Sequence, residues 1–305
     1  MKAVHLFSLV TLILFTTTAL QAYASDIDIE KNYSKSYKLN ATDLVEIENR
    51  FGSIVVSVWD RDEVKIDATI TASARSERRA QEILDDLEIV DRRRGNDVSF
   101  VTKVGRGGNV QSKGKAKEIG FDVEMRVYIP ATQSLDITME FGDVQIPDYR
   151  GELEIVCKFG KLYAGELDRL KSLEVEFGGS DIERVHDAEI SSKFSHLTIE
   201  QASGDLELTL EFSNDCEIGI AENFTNIDLV AKNSNATLKL PRNLSARYDI
   251  QTSFGNLNNR TDFDIAAEKK SGFDVGLNKE YRGTIGSGKA NIDISADFSE
   301  IRLED

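Results

Sequence analysis

Apolar residues at Leu135, Ile137, Met139 and Phe141 alternate with polar ones, the pattern breaks after Phe141, and it resumes at Val144 and Ile146. A period of two is that of a strand with one face buried, so this stretch predicts strand, corner, strand. The same template recurs through Phe159, Phe177, Phe194 and Phe212, at steps of 18, 18, 17 and 18 residues. Weaker copies follow at Asn233 and Phe254, where the step widens to 21. Two further copies lie apart: Val45 to Val56 around Phe51-Gly52, read as an isolated first turn, and Ile292 to Leu303 around Phe298-Ser299, which predicts a paired strand at the C-terminus.

Eighteen residues leave no room for a helix in each unit. The repeat therefore predicts a chain that coils, each unit stacking on the last with parallel strands roughly 4.8 Å apart. The expected fold is a mainly β, parallel β-solenoid of β-helix type, about 18 residues per turn, with one short N-terminal helix. Gly142, Gly160, Gly178 and Gly255 sit at the corners, where positive φ is expected to fall on glycine, with Ser195 and Ser213 at less demanding turns. With the Phe rings taken as buried core, Phe177 should lie mid-stack between two neighbours.

The residue before each corner reads Glu140, Lys158, Glu176, Lys193, Glu211, Lys232, a strict alternation of sign. In-register stacking would place each charge between two opposite ones, favouring register more than stability.

The short helix is expected after Ser76, a suitable N-cap, because Ala80, Ile83, Leu84 and Leu87 share one helical face. Its role is to cover apolar surface at the end of the stack. Residues 1–24 carry Lys2, an apolar run from Leu6 to Phe15 and Ala22-Tyr23-Ala24 before Ser25, the pattern of an export signal cleaved before Ser25. The expected organisation is a signal peptide at 1–24, a β-rich part with the capping helix at 25–130, and the repeat region at 131–305, with an irregular excursion at 258–283. The protein should be exported, to the periplasm, cell surface or medium, and no stretch reads as a transmembrane helix.

The formal net charge is −16; loss of the leader removes Lys2 and no acid, leaving −17 on 281 residues. That balance argues against nucleic acid as a partner. Cys157 and Cys216 lie three units apart, about 14 Å along such a stack against a disulfide limit of roughly 7 Å, so both should be unpaired, with Cys157 in the core. Arg92 to Arg94 and the glycine-rich stretch Lys103 to Lys117 hold local positive charge; they read as a hairpin tip, with contact to an anionic surface as the alternative.

Chemistry is sparse. Gly283 to Ala290 resembles a phosphate loop but has Ala290 where the magnesium-binding hydroxyl belongs, and a strand pattern follows it. His186 and His196 lack metal-ligand spacing. Asp143, Asp181, Asp205 and Asp215 follow corners and are read as turn residues, with calcium binding or sugar cleavage as the chemistry that ranked carboxylates could otherwise supply. No catalytic, cofactor-binding or metal-ligating residue is assigned, and no cofactor is implied.

The leader, the helix after Phe51-Gly52, Val127-Tyr128-Ile129-Pro130 and the serial strand-FG-strand units resemble a family of exported bacterial proteins of unknown function, described as "putative adhesins" with β-strand repeats. That resemblance implies a solenoid-like β fold at the cell envelope and transfers no catalytic residue. The function expected is non-enzymatic, structural or adhesive, with envelope polysaccharide, a lipid surface or another protein as partner. The alternative is a carbohydrate-active β-helix enzyme or a calcium-dependent polysaccharide binder; returns of only about four to six residues argue against the walled groove that such an enzyme requires.

Overall fold

The computed structural model describes residues 26–105, 120–268 and 277–305. The leader, the cleavage position and most of the Lys103 to Lys117 stretch lie outside them.

Alternation in the sequence becomes strand wherever it was regular. In the N-terminal part these are β1 (Ile27–Lys38), β2 (Leu44–Val58), β3 (Glu63–Ala74), β4 (Leu87–Arg94), β5 (Asp97–Val104) and β6 (Gly120–Ile129). The repeats give β7 (Ser134–Ile146), β8 (Leu153–Lys158), β9 (Lys161–Leu167), β10 (Leu170–Glu176), β11 (Gly179–Lys193), β12 (His196–Glu211), β13 (Cys216–Lys232) and β14 (Asn235–Lys239). The last third adds β15 (Ala246–Ser253), β16 (Asn256–Asn259), β17 (Asn278–Ile285), β18 (Ala290–Asp297) and β19 (Glu300–Glu304). Alternate side chains of these strands, among them Val45, Ile54, Leu135, Ile155, Leu173, Leu208 and Ile294, form one buried cluster.

α1 (Glu77–Asp85) starts at Ser76, whose Oγ accepts the Arg79 N–H at 3.4 Å. Ala80, Ile83 and Leu84 are its buried face, and it packs on β1, β3 and β4. Leu87, expected on the same helical face, instead opens β4.

The uniform parallel solenoid expected from the repeat is overturned by the pairing. β7, β8, β10, β11 and β9 close on one another as a small barrel of five parallel strands, and the remaining strands lie outside it. Among the described residues four pairings are antiparallel: β1 with β3, β3 with β6, β4 with β5, and β15 with β17. Units also do not stack in chain order. β18 lies between β13 and β15, so the final copy is inserted ahead of the Phe254 copy. An 18-residue period reports what one unit looks like; it carries nothing about which unit pairs with which, and non-sequential or antiparallel neighbours satisfy the same apolar face.

Two narrower expectations change with it. The Phe51 copy is not isolated, since β2 pairs with β7 with Phe51 opposite Phe141 and Gly52 opposite Gly142. The region 258–283 is not wholly irregular, since β17, which begins within it and runs past its end, is a strand paired with β15. The C-terminal β19 pairs with both β14 and β16.

Candidate interaction surface

The corners are where sequence and structure differ most usefully. Only Gly52 and Gly142, of the FG corners, take positive φ, at 111° and 147°. At the others the left-handed residue is the one before: Phe159, Phe177, Phe194, Phe212, Asn233, Phe254 and Phe298, all with φ between 50° and 55°. Left-handed backbone costs an ordinary L-residue roughly 1–2 kcal/mol. The N–H of each of these residues is satisfied across the stack; that of Phe159 reaches Glu176 O at 2.9 Å, that of Phe177 Lys193 O at 3.0 Å, and that of Phe194 Glu211 O at 2.9 Å.

Gly160 and Gly178 are needed for a different reason. A Cβ on Gly160 would stand 1.9 Å from Gly142 O, and one on Gly178 1.8 Å from Gly160 O, so the glycines permit backbone to approach backbone. Ser195, Ser213, Ser234 and Ser299 stand in the same corner position and build a ladder. Ser195 Oγ accepts the Gly178 N–H at 3.0 Å, Ser213 Oγ that of Ser195 at 3.3 Å, Ser234 Oγ that of Ser213 at 3.0 Å and Ser299 Oγ that of Ser234 at 3.0 Å. Ser195, Ser234 and Ser299 each donate in turn to the carbonyl two residues earlier, at 2.7–2.8 Å. The serines that follow Phe194, Phe212, Asn233 and Phe298 in the sequence are the signal for this ladder.

At every corner the ring is turned outward rather than into the core, from left-handed backbone at Phe159 onward and from a corner whose glycine takes the positive φ at Phe51 and Phe141. Phe51, Phe141, Phe159, Phe177, Phe194 and Phe212 form one continuous stack, with centroids 4.9–5.0 Å apart and planes within 14° of parallel. Phe141 to Phe212 are 40–51% exposed, which corrects the expectation of a buried ring core. Phe177 does lie mid-stack, between Phe159 and Phe194. Phe121 closes one end edge-on to Phe51 at 4.7 Å. Asn233 interrupts the column at the other end, and Phe298 and Phe254 form a separate stacked pair at 4.9 Å. The result is an apolar ridge about 25 Å long, set by five successive ring spacings.

Beside it runs the charge row. Glu176 is opposite both Lys158 and Lys193, Lys193 is opposite Glu211, and Glu211 is opposite Lys232. Glu140 sits one residue past the Met139–Cys157 pair and is followed by the Phe141–Phe159 stack, which brings it alongside Lys158. Arg50 and Asp297 extend the alternation at either end: Arg50 Nε is 2.8 Å from Glu140 Oε2, and Asp297 is opposite Lys232. Lys158 Nζ is 3.1 Å from Glu176 Oε2, and that carboxylate, with Glu174, raises the ammonium above its ordinary range.

The other singled-out residues do not converge. Asp143 Oδ1 accepts the Lys161 N–H at 2.9 Å and Asp215 is itself left-handed, while Asp181 lies opposite Tyr163 and Asp205 opposite Asn226. Each serves its own corner or strand rather than one edge. Among the described residues no group of three His, Cys, Asp or Glu is placed to hold a metal ion. His186 Nδ1 is 3.0 Å from Ser203 Oγ on a surface remote in register from His196, which lies opposite Gly179. Cys157 and Cys216 are buried and unpaired, and burial pushes their thiols up to about 12 and about 11, far from a reactive thiolate. Gly286 and Gly288 form a turn that leads into β18, where a phosphate loop would open a helix. A shallow groove of about 860 Å³ crosses β2, β7, β9, β11 and β12, lined by Val58, Tyr163, Asp181, Glu183 and Glu200 among others. No helix among the described residues is long and apolar enough to cross a membrane.

No protein-family model matches the chain, and no curated protein sequence matches it. Solved structures do. A "putative cell adhesion protein" from Clostridium sporogenes is similar at 12% identity over 90% of this chain and 99% of that one, with a TM-score of 0.26. A "putative adhesin" from Bacteroides fragilis is similar at 11% identity over 90% and 97%, with a TM-score of 0.41. A "putative lipid binding protein" from Parabacteroides distasonis is similar at 8% identity over 90% and 97%, with a TM-score of 0.31. Likenesses at this level assign no activity.

Proposed function

We propose that this chain is a non-enzymatic protein of the cell envelope, exported by its leader, whose outward phenylalanine ridge is a contact surface in a structural or adhesive role. The observation that carries this is the ridge: large apolar side chains held half-exposed in one ordered line, from Phe159 to Phe212 on backbone that turns left-handed at the ring-bearing residue. Contiguous exposed apolar surface of this kind marks an interaction site more often than a solvent face. The stack also narrows the partner. Its rings are face to face, so they offer solvent their edges, whereas a sugar ring binds an aromatic face; a protein or lipid surface therefore fits the ridge better than polysaccharide.

The test is capture from envelope extract by the purified protein and by a variant carrying Phe159→Ser, Phe177→Ser and Phe194→Ser. A component retained by the first and lost by the folded second is expected; equal retention by both would refute the ridge as the contact surface. N-terminal sequencing of the exported product should read from Ser25.

A further inference from the structure

The charges beside the ridge are Arg50, Glu140, Lys158, Glu176, Lys193, Glu211, Lys232 and Asp297, positive at one end, negative at the other and alternating throughout. Such a row, turned end for end, presents the opposite sign at every position. We propose that the ridge is the interface of a two-fold homodimer, in which two copies lie side by side with their stacks antiparallel and the axis passes between the Glu176 and Lys193 rungs. This rests on the reading of the ridge as a contact surface and names the partner as a second copy.

An axis lying in the contact plane and perpendicular to the stack keeps charge row against charge row and ring column against ring column: Phe177 faces Phe194 of the partner subunit, Phe159 faces Phe212 of the partner subunit, and the ring-free rung of Asn233 falls opposite Phe141 of the partner subunit. Glu176 then faces Lys193 of the partner subunit, Lys158 faces Glu211 of the partner subunit, Glu140 faces Lys232 of the partner subunit, and Arg50 faces Asp297 of the partner subunit. A slip of one rung makes every one of these contacts like-signed, so the charges fix the register. An axis along the stack would instead put the two rows on opposite sides of the ridge. The row is locally neutral, and contact through it adds little to the repulsion between two acidic chains.

The area is also adequate. A phenylalanine offers roughly 150–250 Å², so the half-exposed rings and the flanking charged rows from two copies together reach the roughly 1,000 Å² that a specific interface needs. A two-fold contact requires this self-complementarity of a single patch.

Sedimentation equilibrium of the purified protein should give a reversible dimer at tens of micromolar. Glu176→Lys alone and Lys193→Glu alone should each weaken it by about tenfold, because each creates two like-charge contacts across the axis. An equimolar mixture of the two variants should recover the parent affinity as a heterodimer: the introduced lysine of one copy faces the introduced glutamate of the other, and the unaltered Lys193 faces the unaltered Glu176. If either variant fails to melt cooperatively by circular dichroism, Glu140→Lys mixed with Lys232→Glu gives the same test nearer the ends of the row. A monomer mass throughout, or a mixture no better than its components, overturns the dimer. A monomer that still captures an envelope component through the ridge overturns the dimer and leaves the contact-surface reading standing; a monomer whose ridge variant loses nothing overturns both.

Discussion

Replacing Phe177 by alanine tests the ridge most directly, because the structure changes the expected cost. A fully buried phenylalanine loses about 3–5 kcal/mol on truncation. Phe177 is 45% exposed, so the area withdrawn from water that alanine would forfeit is nearer 70 Å², about 1.5 kcal/mol at 25 cal/mol per Å² after allowing for a compact unfolded chain. Its ring contacts Phe159 and Phe194 at 5.0 and 4.9 Å, and at a half-exposed site each such contact contributes about 0.5 kcal/mol more. The expected loss is therefore about 2.5 kcal/mol. Phe254 is more exposed, with one stacked neighbour, Phe298, and Phe254→Ala should cost about half as much. The backbone adds a sharper criterion. Phe177 has φ 55°, where alanine is strained and glycine is not, so Phe177→Gly should be at least as stable as Phe177→Ala, the reverse of the order in a regular strand. Urea melts at low micromolar protein, where association contributes little, measure all three. Equal and negligible losses at Phe177 and Phe254 would refute the stack, and a glycine variant well below alanine would refute the left-handed corner.

Glu176→Lys places three positive charges in sequence along the row and should destabilise by about 1 kcal/mol at low salt, fading as salt rises; a double-mutant cycle showing no coupling of Glu176 to Lys158 or Lys193 would contradict their register. Gly160→Ala should cost more than about 2 kcal/mol, because its Cβ would meet backbone at 1.9 Å, whereas Gly120→Ala, whose nearest contact would be Ser73 Cβ at 3.5 Å, should be near neutral; comparable melts for the two would count against the close approach. Asp136 lies opposite both Glu46 and Glu154, and burial first, then these two carboxylates, push it up to about 6. The folded state thus holds a proton that the unfolded chain releases near pH 4, so this group's contribution falls as pH rises from about 4 through 6. Asp136→Asn should melt with the parent near pH 4 and exceed it by roughly 1 kcal/mol at pH 7, the linkage value being reduced by solvent screening; identical pH profiles would remove the carboxylate row as its cause.

Much of the array was legible because strand alternation is a local property. Leu135 to Ile146 could only be a strand with one buried face, and the sign alternation predicted neighbours that the pairing does bring together from Lys158 to Lys232. The path of the chain was not legible. Copies as alike as those around Asn233, Phe254 and Phe298 offer equivalent edges, and nothing local says that β18 will enter between β13 and β15. Antiparallel β17 lies in a stretch whose alternation is weak, where periodicity has least to offer. The corners misled for a separate reason. Glycine after phenylalanine suggests that glycine carries the unusual backbone, yet at Gly160 and Gly178 it answers a steric demand from the adjacent unit, which only three-dimensional neighbours reveal.

Asn233 shows that the ridge is more than a by-product of the corner. It adopts φ 50°, the conformation of Phe212 and Phe298 on either side, and its N–H reaches Asp297 O at 2.9 Å just as theirs reach Lys232 O and Ser253 O. Asparagine is among the residues that tolerate left-handed backbone best, so this corner is made with less strain and no ring. The charge row nevertheless runs straight through it, from Lys232 to Asp297. Corner geometry and the charge row are thus both satisfied where phenylalanine is absent. Phenylalanine at the other corners accepts a conformational cost that asparagine or glycine would lessen and leaves about half of a large apolar side chain in water. Stacking on neighbouring rings recovers part of that cost within one chain. The exposed half is recovered only when something else covers the ridge, and a second copy laid antiparallel against it covers the rings while matching every charge in the row.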